Sequence, residues 1–417
     1  MTADDNGGLR TIVWSELFPW LNLLRVFRFA VGGRVLVLAT VGVLLSTAGW
    51  WLLTWVFHPS VVLSSADNTC PWTCLTKIVP DKPIFETPAD RRWLASQGEK
   101  QNPILKNWGT LSEPLWRGLS PNVPKRDLVY FIVCGLWGVA VWGFFGGAIT
   151  RMAAVHLACE ENLSLATALR HTAKKWLAYV TAPLFPLLGI AVLAFPLVLL
   201  GLLLRLQIGV FLLGLVWPLF LIDGLIITLL VLGLGFGWPL MWATISTEST
   251  DSFDALSRSY AYVFQRPLHY LFYTLVATVL GGLGWILVSQ LAAFVIYMTY
   301  WGCGWGAGHS QILAIQAAGA DLGSLGYGGA ALIAFWVGCV KMLALGYLFS
   351  FFWTASSAVY LLLRRNVDAT EMDEVVLDEE DQAYGLPPLK TDTLGAPVLD
   401  ESQNAPNDKI AKGQDEE

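Results

Sequence analysis

Residues 176–246 read WLAYVTAPLFPLLGIAVLAFPLVLLGLLLRLQIGVFLLGLVWPLFLIDGLIITLLVLGLGFGWPLMWATIS. These 71 residues contain two charged side chains, Arg205 and Asp223. A helix rises ~1.5 Å per residue, so about 20 apolar residues cross a hydrocarbon core ~30 Å thick. The stretch is too long and too apolar for the core of a soluble protein, and it predicts at least two membrane-spanning helices.

Four more apolar blocks surround this stretch. The six predicted spans are 35–57, 128–150, 176–204, 208–245, 268–300 and 329–363. The first block lacks a small-residue cleavage site, so we expect a retained helix and not a signal peptide. The whole chain is 55% hydrophobic and 14% charged, which is typical of a polytopic membrane protein. The predicted fold class is therefore all-α, with six transmembrane helices.

The remaining segments complete the predicted organisation. It consists of an N-terminal interfacial helix (1–33), the first span (34–57), an extracytosolic loop domain with a short helix near 89–97 (58–126), a five-helix membrane domain (127–365) with cytosolic connectors (151–175 and 246–267) and an outer segment (301–327), and a tail (366–417).

Basic residues indicate the orientation, because cytosolic loops carry an excess of Lys and Arg. Four basic clusters fall on one side of the six spans: Arg25, Arg28 and Arg34; Arg151, Arg170, Lys174 and Lys175; Arg258 and Arg266; Arg364 and Arg365. The loop 58–126 is also basic, but it exceeds the ~60 residues over which loop charge controls orientation. Both termini are therefore predicted to be cytosolic.

The tail is strongly acidic. It carries 15 Asp or Glu against three Lys, whereas the net charge of the whole chain is −6. We predict a disordered acidic tail on a mildly basic membrane body. The lipid bilayer is the expected partner, and the segments 58–126 and 366–417 are candidate binding regions for other membrane or cytosolic proteins. The sequence indicates no nucleic-acid partner.

Three amphipathic stretches are predicted to lie at the inner membrane surface. Residues 251–265 place Phe253, Leu256 and Tyr260 at helical spacing, and the first connector and the N-terminal segment combine apolar and basic residues in the same way. The acids of this face are expected to sit at helix N-termini, where they offset the helix dipole; they are Glu160, Glu161, Glu248, Asp251 and Asp254.

Asp223 and Lys341 are charges within apolar blocks, and such residues suggest an ion or proton path. Each lies 22 residues from the cytosolic end of its span, which places it ~33 Å away, at the outer membrane boundary. Boundary anchoring, or a pair between the two, is therefore the favoured interpretation. The overhanging parts, 209–222 and 329–340, would support the outer domain or form a re-entrant segment.

Two parts of the chain resemble each other. Gly143 and Gly147 precede Glu161 and an Ala-Leu pair, and Gly233 and Gly237 precede Glu248 and a second Ala-Leu pair. Glycines four residues apart allow close helix packing in membranes. The pattern predicts a parallel internal repeat, each copy joined to the next span by an amphipathic connector.

This plan of six spans with Ala-Leu in the connectors resembles several uncharacterised bacterial membrane-protein families. They include the membrane domain that precedes some glycerophosphodiester phosphodiesterases, and the likeness covers 128–300. It implies a multi-pass protein of the bacterial cytoplasmic (inner) membrane. No soluble stretch here is long enough for the phosphodiesterase domain, so the resemblance carries over no catalytic residue.

The sequence shows no catalytic, cofactor-binding or metal-binding pattern. The outer-loop residues Cys70 and Cys74 suggest a local disulfide; reduced thiols and a pairing of either one with Cys303 are the alternatives. The five His residues show no metal-ligand spacing.

The favoured function is a non-enzymatic scaffold or subunit of a membrane complex. The first alternative is a permease or channel for a small solute or ion, in which Asp223, Lys341 and Arg205 line the path. The second is a lipid-acting enzyme, which would require inner-face carboxylates such as Glu161 and Glu248 to converge.

Overall fold

The computed structural model describes residues 19–63, 102–120, 123–317 and 323–376. These residues form eleven α-helices, two 3-10 turns and no β-strand. The helices are α1 (Leu23–Ala30), α2 (Gly33–Phe57), α3 (Pro103–Gly118), α4 (Lys125–Cys159), α5 (Leu165–Gly201), α6 (Gln207–Leu215), α7 (Trp217–Glu248), α8 (Ser252–Gln265), α9 (Pro267–Ala307), α10 (His309–Ala317) and α11 (Gly323–Val367).

Six helices, α2, α4, α5, α7, α9 and α11, are long and apolar enough to cross a membrane. The predicted all-α fold with six spans is therefore confirmed. The predicted helix near 89–97, Cys70, Cys74 and most of the acidic tail lie outside the described residues.

The first connector differs from its prediction, because residues 151–175 do not form a separate helix. Helix α4 continues to Cys159, and α5 begins at Leu165 and runs directly into the third span. The hydroxyl of Ser164 caps α5 by accepting from the backbone N–H of Thr167 at 3.1 Å. No Gly or Pro interrupts the sequence from 165 to 182, so the amphipathic turns and the apolar turns join into one helix.

The second connector is the separate helix α8. Its N-cap is Asp251, whose carboxylate accepts from the N–H of Asp254 at 2.9 Å. The helix folds back along α7, so that a Cβ on Gly237 would lie 3.7 Å from Ser259 Cβ, and the Tyr260 hydroxyl donates to the Leu230 carbonyl at 2.7 Å. We call the end of the bundle that carries the α7–α8 loop the connector face.

The two halves of the predicted repeat share local contacts. Ala168 and Ala255, each four residues after an N-cap, are fully buried. Four residues further on, the Thr172 and Ser259 hydroxyls each donate to the carbonyl of that alanine. A Cβ on Gly147 would lie 2.9 Å from Thr172 Cγ2, so each hydroxyl residue also packs on a glycine of the preceding span. The two connectors therefore share these local contacts, and the internal repeat stays a prediction.

Helix α1 is amphipathic and packs against the bundle. Leu23, Val26 and Ala30 are buried in a cluster that includes side chains of α9 and α11. The chain then turns at Gly32, where a Cβ would lie 2.9 Å from the Phe29 carbonyl oxygen, and α2 begins. The side chains of Leu23, Val26 and Ala30 are therefore covered by protein, whereas Leu24, on the face predicted to lie at the membrane surface, is 50% exposed.

Helix α3 enters the bundle although it is too short and too polar to be a span. Its C-terminal end lies beside the start of α4, where a Cβ on Gly118 would be 3.9 Å from Leu128 Cδ1, and Pro114 lies beside Gly135. Its N-terminal half contacts the middle of three spans. The Asn102, Asn107 and Trp108 side chains donate to carbonyls of α9 (Thr278), α11 (Leu348) and α7 (Gly235) at 2.7, 2.7 and 2.8 Å. Helix α3 thus packs between spans with its N-terminal half, while Leu105 and Trp116 on its surface remain exposed.

Aromatic side chains fill the centre of the bundle. The rings of Trp242 and Trp353 stack with centroids 4.5 Å apart, and Trp142 stacks on Phe349 at 4.4 Å. Gly146 makes room for this layer, because a Cβ there would lie 2.8 Å from the Trp353 ring. Stacked indoles therefore join α4, α7 and α11 into one core.

Candidate functional site

The largest group of charged contacts in the described bundle surrounds Glu248, the last residue of α7. Its side chain is 7% exposed. One carboxylate oxygen accepts from the Tyr360 hydroxyl at 2.7 Å and from Arg364 Nε at 3.2 Å, and the other accepts from an Arg258 amino group at 2.7 Å. One acid thus joins α7, α8 and α11.

Three of the inner-face acids, Glu160, Glu161 and Glu248, are not helix N-terminal acids, so that expectation is wrong for them; Glu161 precedes the N-cap of α5, whose first turn contains no acid. Glu248 ends α7 and Glu160 follows the last turn of α4, whereas Asp251 and Asp254 do stand at the start of α8. The C-terminal end of a helix dipole disfavours a carboxylate. The two arginines around Glu248 supply the compensating charge.

A cluster of buried hydroxyls lies one turn further into the bundle. The Ser246 hydroxyl is 2.6 Å from that of Thr150 and 2.8 Å from that of Tyr179, and the Ser357 hydroxyl donates to the Thr150 carbonyl at 3.2 Å. Arg151 is fully buried and donates to the Ser246 carbonyl at 2.7 Å. This cluster ties α4 and α5 to the end of α7.

The chain after α11 closes over the same region. The Val376 N–H donates to the Thr247 carbonyl at 3.0 Å, and the Tyr262 hydroxyl donates to the Asp368 carboxylate. Burial, followed by the nearby Asp368 carboxylate, raises the pKa of Tyr262. For Arg258, burial lowers the pKa, but Glu248 and Asp254 outweigh it and the pKa is raised overall. Both groups are therefore held in their protonated forms.

The Glu248 cluster holds helices α7, α8 and α11 together through hydrogen bonds and ion pairs. Both oxygens of the carboxylate accept hydrogen bonds from protein donors. A lipid-acting enzyme would require Glu161 and Glu248 to converge in one groove. Here Glu161 is exposed, and Glu248 contacts arginines. Among the described residues, no group of acids, His and Cys is arranged to hold a metal ion.

The three candidate transport residues belong to three different elements. Arg205 is exposed at the end of the Leu202–Arg205 turn, Asp223 is half-buried in the second turn of α7, and Lys341 is half-buried in α11. In the described part of the chain, neither Asp223 nor Lys341 forms an ion pair. Asp223 precedes Glu248 by 25 residues, or about 37 Å along α7.

The four candidate packing glycines all face other helices. A Cβ would lie 3.5 Å from Tyr179 at Gly143, 2.9 Å from Thr172 at Gly147, 2.2 Å from Tyr260 at Gly233 and 3.7 Å from Ser259 at Gly237. The first pair faces α5 and the second faces α8. These distances are those of the close packing for which the small residues were singled out.

The thiols of Cys134, Cys159, Cys303 and Cys339 are free, and Cys303 is exposed. The suggested Cys70–Cys74 disulfide falls outside the described residues and stays a prediction.

A basic cavity, which the sequence interpretation missed, opens between α1, the start of α2 and the end of α4. Its volume is about 690 Å³, and Arg25, Arg28 and Arg34 line it. Three arginines near Gly32 and Gly33 are the sequence signal for this cavity. In the sequence they indicated only the orientation of the spans.

Comparison with known proteins identifies no matching family model, no similar curated protein and no similar solved structure. The resemblance to the membrane domain of phosphodiesterases therefore stays a prediction.

Proposed function

We propose that this multi-pass membrane protein is a non-enzymatic scaffold or subunit of a membrane complex. The observation that carries the proposal is the apolar surface around α6. Seven of the nine residues of α6 are exposed, and Ile208, Phe211 and Leu215 are each more than 70% exposed. Contiguous exposed apolar surface of this kind marks a protein or membrane contact.

The bilayer alone does not cover this surface. Helix α6 joins the start of α7 through Val216, and α7 alone rises about 46 Å from Trp217 to Glu248; a tilt of ~40° still leaves a height of about 36 Å. The hydrocarbon core covers ~30 Å. The α6 surface thus projects beyond the core, where contact with another membrane protein removes it from water.

The test is the size and composition of the native complex in mild detergent. The double variant Phe211→Ala with Leu215→Ala should release co-purifying proteins and shift the chain to a smaller species. The matched control, Leu188→Ala with Phe195→Ala, alters residues that are each 62% exposed but lie nearer the connector face. Recovery of a lone monomer that moves a solute into proteoliposomes would overturn the proposal.

A second candidate function, a permease or channel, is favoured by α3. Re-entrant half-helices that end at mid-membrane are a common feature of transport pathways. Solute flux in proteoliposomes tests this function. Loss of flux in Lys341→Gln or Asp223→Asn, with the complex intact, would support it. Equal flux in protein-free liposomes would exclude it.

Our proposal also places the protein in a bacterial inner membrane with both termini in the cytosol. The basic clusters near the connector face support this orientation.

A further inference from the structure

The basic cavity between α1, α2 and α4 has a polar rim. The rim consists of Arg25, Arg28, Arg34, His156, Glu160 and Asn162. Arg25 is committed to Glu160, with its amino group 2.6 Å from the carboxylate. Arg28 and Arg34 are exposed and form no ion pair within the described residues. Two arginines therefore remain to bind an anion.

The start of α2 contributes to the same cavity. Its N-cap, Gly32, offers no side chain to the first-turn N–H groups, and a Cβ on Gly33 would meet nothing within 4 Å. These groups and the helix dipole favour an anion at this place. The His156 ring, stacked on Phe29 with centroids 4.7 Å apart, also lines the cavity.

The rest of the lining is apolar. Val35, Met152 and Leu163 form the wall beside the charged rim. Residue 35 is also the first residue of the predicted hydrocarbon block, so the cavity lies at the level of the lipid headgroups. A phosphate with an attached glycerol and acyl chain matches both surfaces, whereas a free phosphate would leave the apolar wall uncovered.

We propose that this cavity binds the phosphate group of an anionic phospholipid. Arg28 and Arg34 hold the phosphate oxygens, the start of α2 donates N–H groups, and the apolar wall takes the first part of an acyl chain. The site is independent of the proposed complex at α6, since it involves other helices.

The experiment is native mass spectrometry of the full chain in mild detergent, titrated with phosphatidylglycerol or phosphatidylcholine. We expect one tightly held phosphatidylglycerol per chain. The variant Arg28→Gln with Arg34→Gln should weaken its binding at least about tenfold, because two charge-assisted hydrogen-bond donors are lost. The control Arg126→Gln with Arg266→Gln removes the same charge elsewhere and should keep the affinity.

A second variant keeps the charges. Gly33→Trp places an indole in the open space of the cavity and should displace the lipid, even if the double-arginine variant fails to fold. Retention of the lipid by Gly33→Trp, or equal losses in the arginine variant and its control, would overturn the site. Equal occupancy by phosphatidylcholine, or displacement of the lipid by inorganic phosphate at equal concentration, would overturn the assignment to an anionic phospholipid.

Discussion

At the scale of single residues, Glu248 shows that the sequence around an acid does not reveal which residues surround it in the fold. Its sequence neighbours suggested an acid at a helix start, but α7 extends to Glu248 and places it at the unfavourable end of the dipole. Arg364, 116 residues later in the sequence, forms an ion pair that stabilises the carboxylate at this end of the helix. No local pattern reveals such a partner, so the ion cluster could not be predicted from the sequence.

Replacing Glu248 by Gln should strongly destabilise the bundle. The change removes the carboxylate charge beside the nearly buried Arg364, whereas Arg258 keeps its pair with Asp254, and breaking a buried pair in this way costs about 3 kcal/mol or more. Chemical unfolding in mild detergent measures the loss. The control is Glu160→Gln, whose exposed pair with Arg25 should contribute less than about 1 kcal/mol. Equal effects of the two variants would contradict the role of Glu248.

Tyr260 should make stability depend on alkaline pH. Burial against α7 raises the pKa of Tyr260 to about 12, from 10.0. A group whose pKa is raised on folding contributes stability that is complete below its unfolded pKa and is lost as pH rises through its folded pKa. The wild-type thermal midpoint should therefore fall between about pH 10 and 12, and Tyr260→Phe should fall less steeply. Parallel curves for the two proteins would contradict this prediction.

At the scale of helices, hydropathy predicted the six spans because lipid contact requires a continuous apolar surface. It did not predict α3. This helix carries Asn107, whose side chain donates to a carbonyl of α11, and Glu113 and Arg117, which pair with each other at 2.7 Å. A polar helix that packs between spans has no apolar stretch for hydropathy to detect. Its sequence is therefore interpreted as a loop. The sequence predicted re-entrance for the overhanging parts of the fourth and sixth spans.

A disulfide cross-link should trap α3 against α4. The Cβ atom of Pro114 lies 3.6 Å from the Cβ position of Gly135, within the range of about 3.5–4.5 Å that a disulfide requires. In a background without native cysteines, Pro114→Cys with Gly135→Cys should cross-link on mild oxidation, as seen by non-reducing electrophoresis after cleavage between the two sites. Ser112→Cys with Gly135→Cys is the control. Equal yields from both pairs would contradict the placement of α3.

At the scale of the whole molecule, the described helices combine two kinds of surface. Near the connector face, buried polar clusters and stacked indoles fix α4, α7 and α11. Toward the opposite end, α5, α6 and the start of α7 expose apolar side chains to their surroundings. A bundle that is closely packed at one end and apolar and uncovered at the other is suited to assembly, which is the reason for proposing a complex subunit in preference to a self-contained enzyme.

The proposed orientation of the whole molecule rests on its charges and is open to a direct test. Because Lys and Arg are retained in the cytosol, the connector face should be inside the cell. In a background without native cysteines, Ser257→Cys on α8 should react with a membrane-impermeant maleimide only after the cells are permeabilised. Ser120→Cys, which is exposed after α3, should react on intact cells. Labelling of Ser257→Cys on intact cells, with Ser120→Cys protected, would reverse the orientation and place both termini outside.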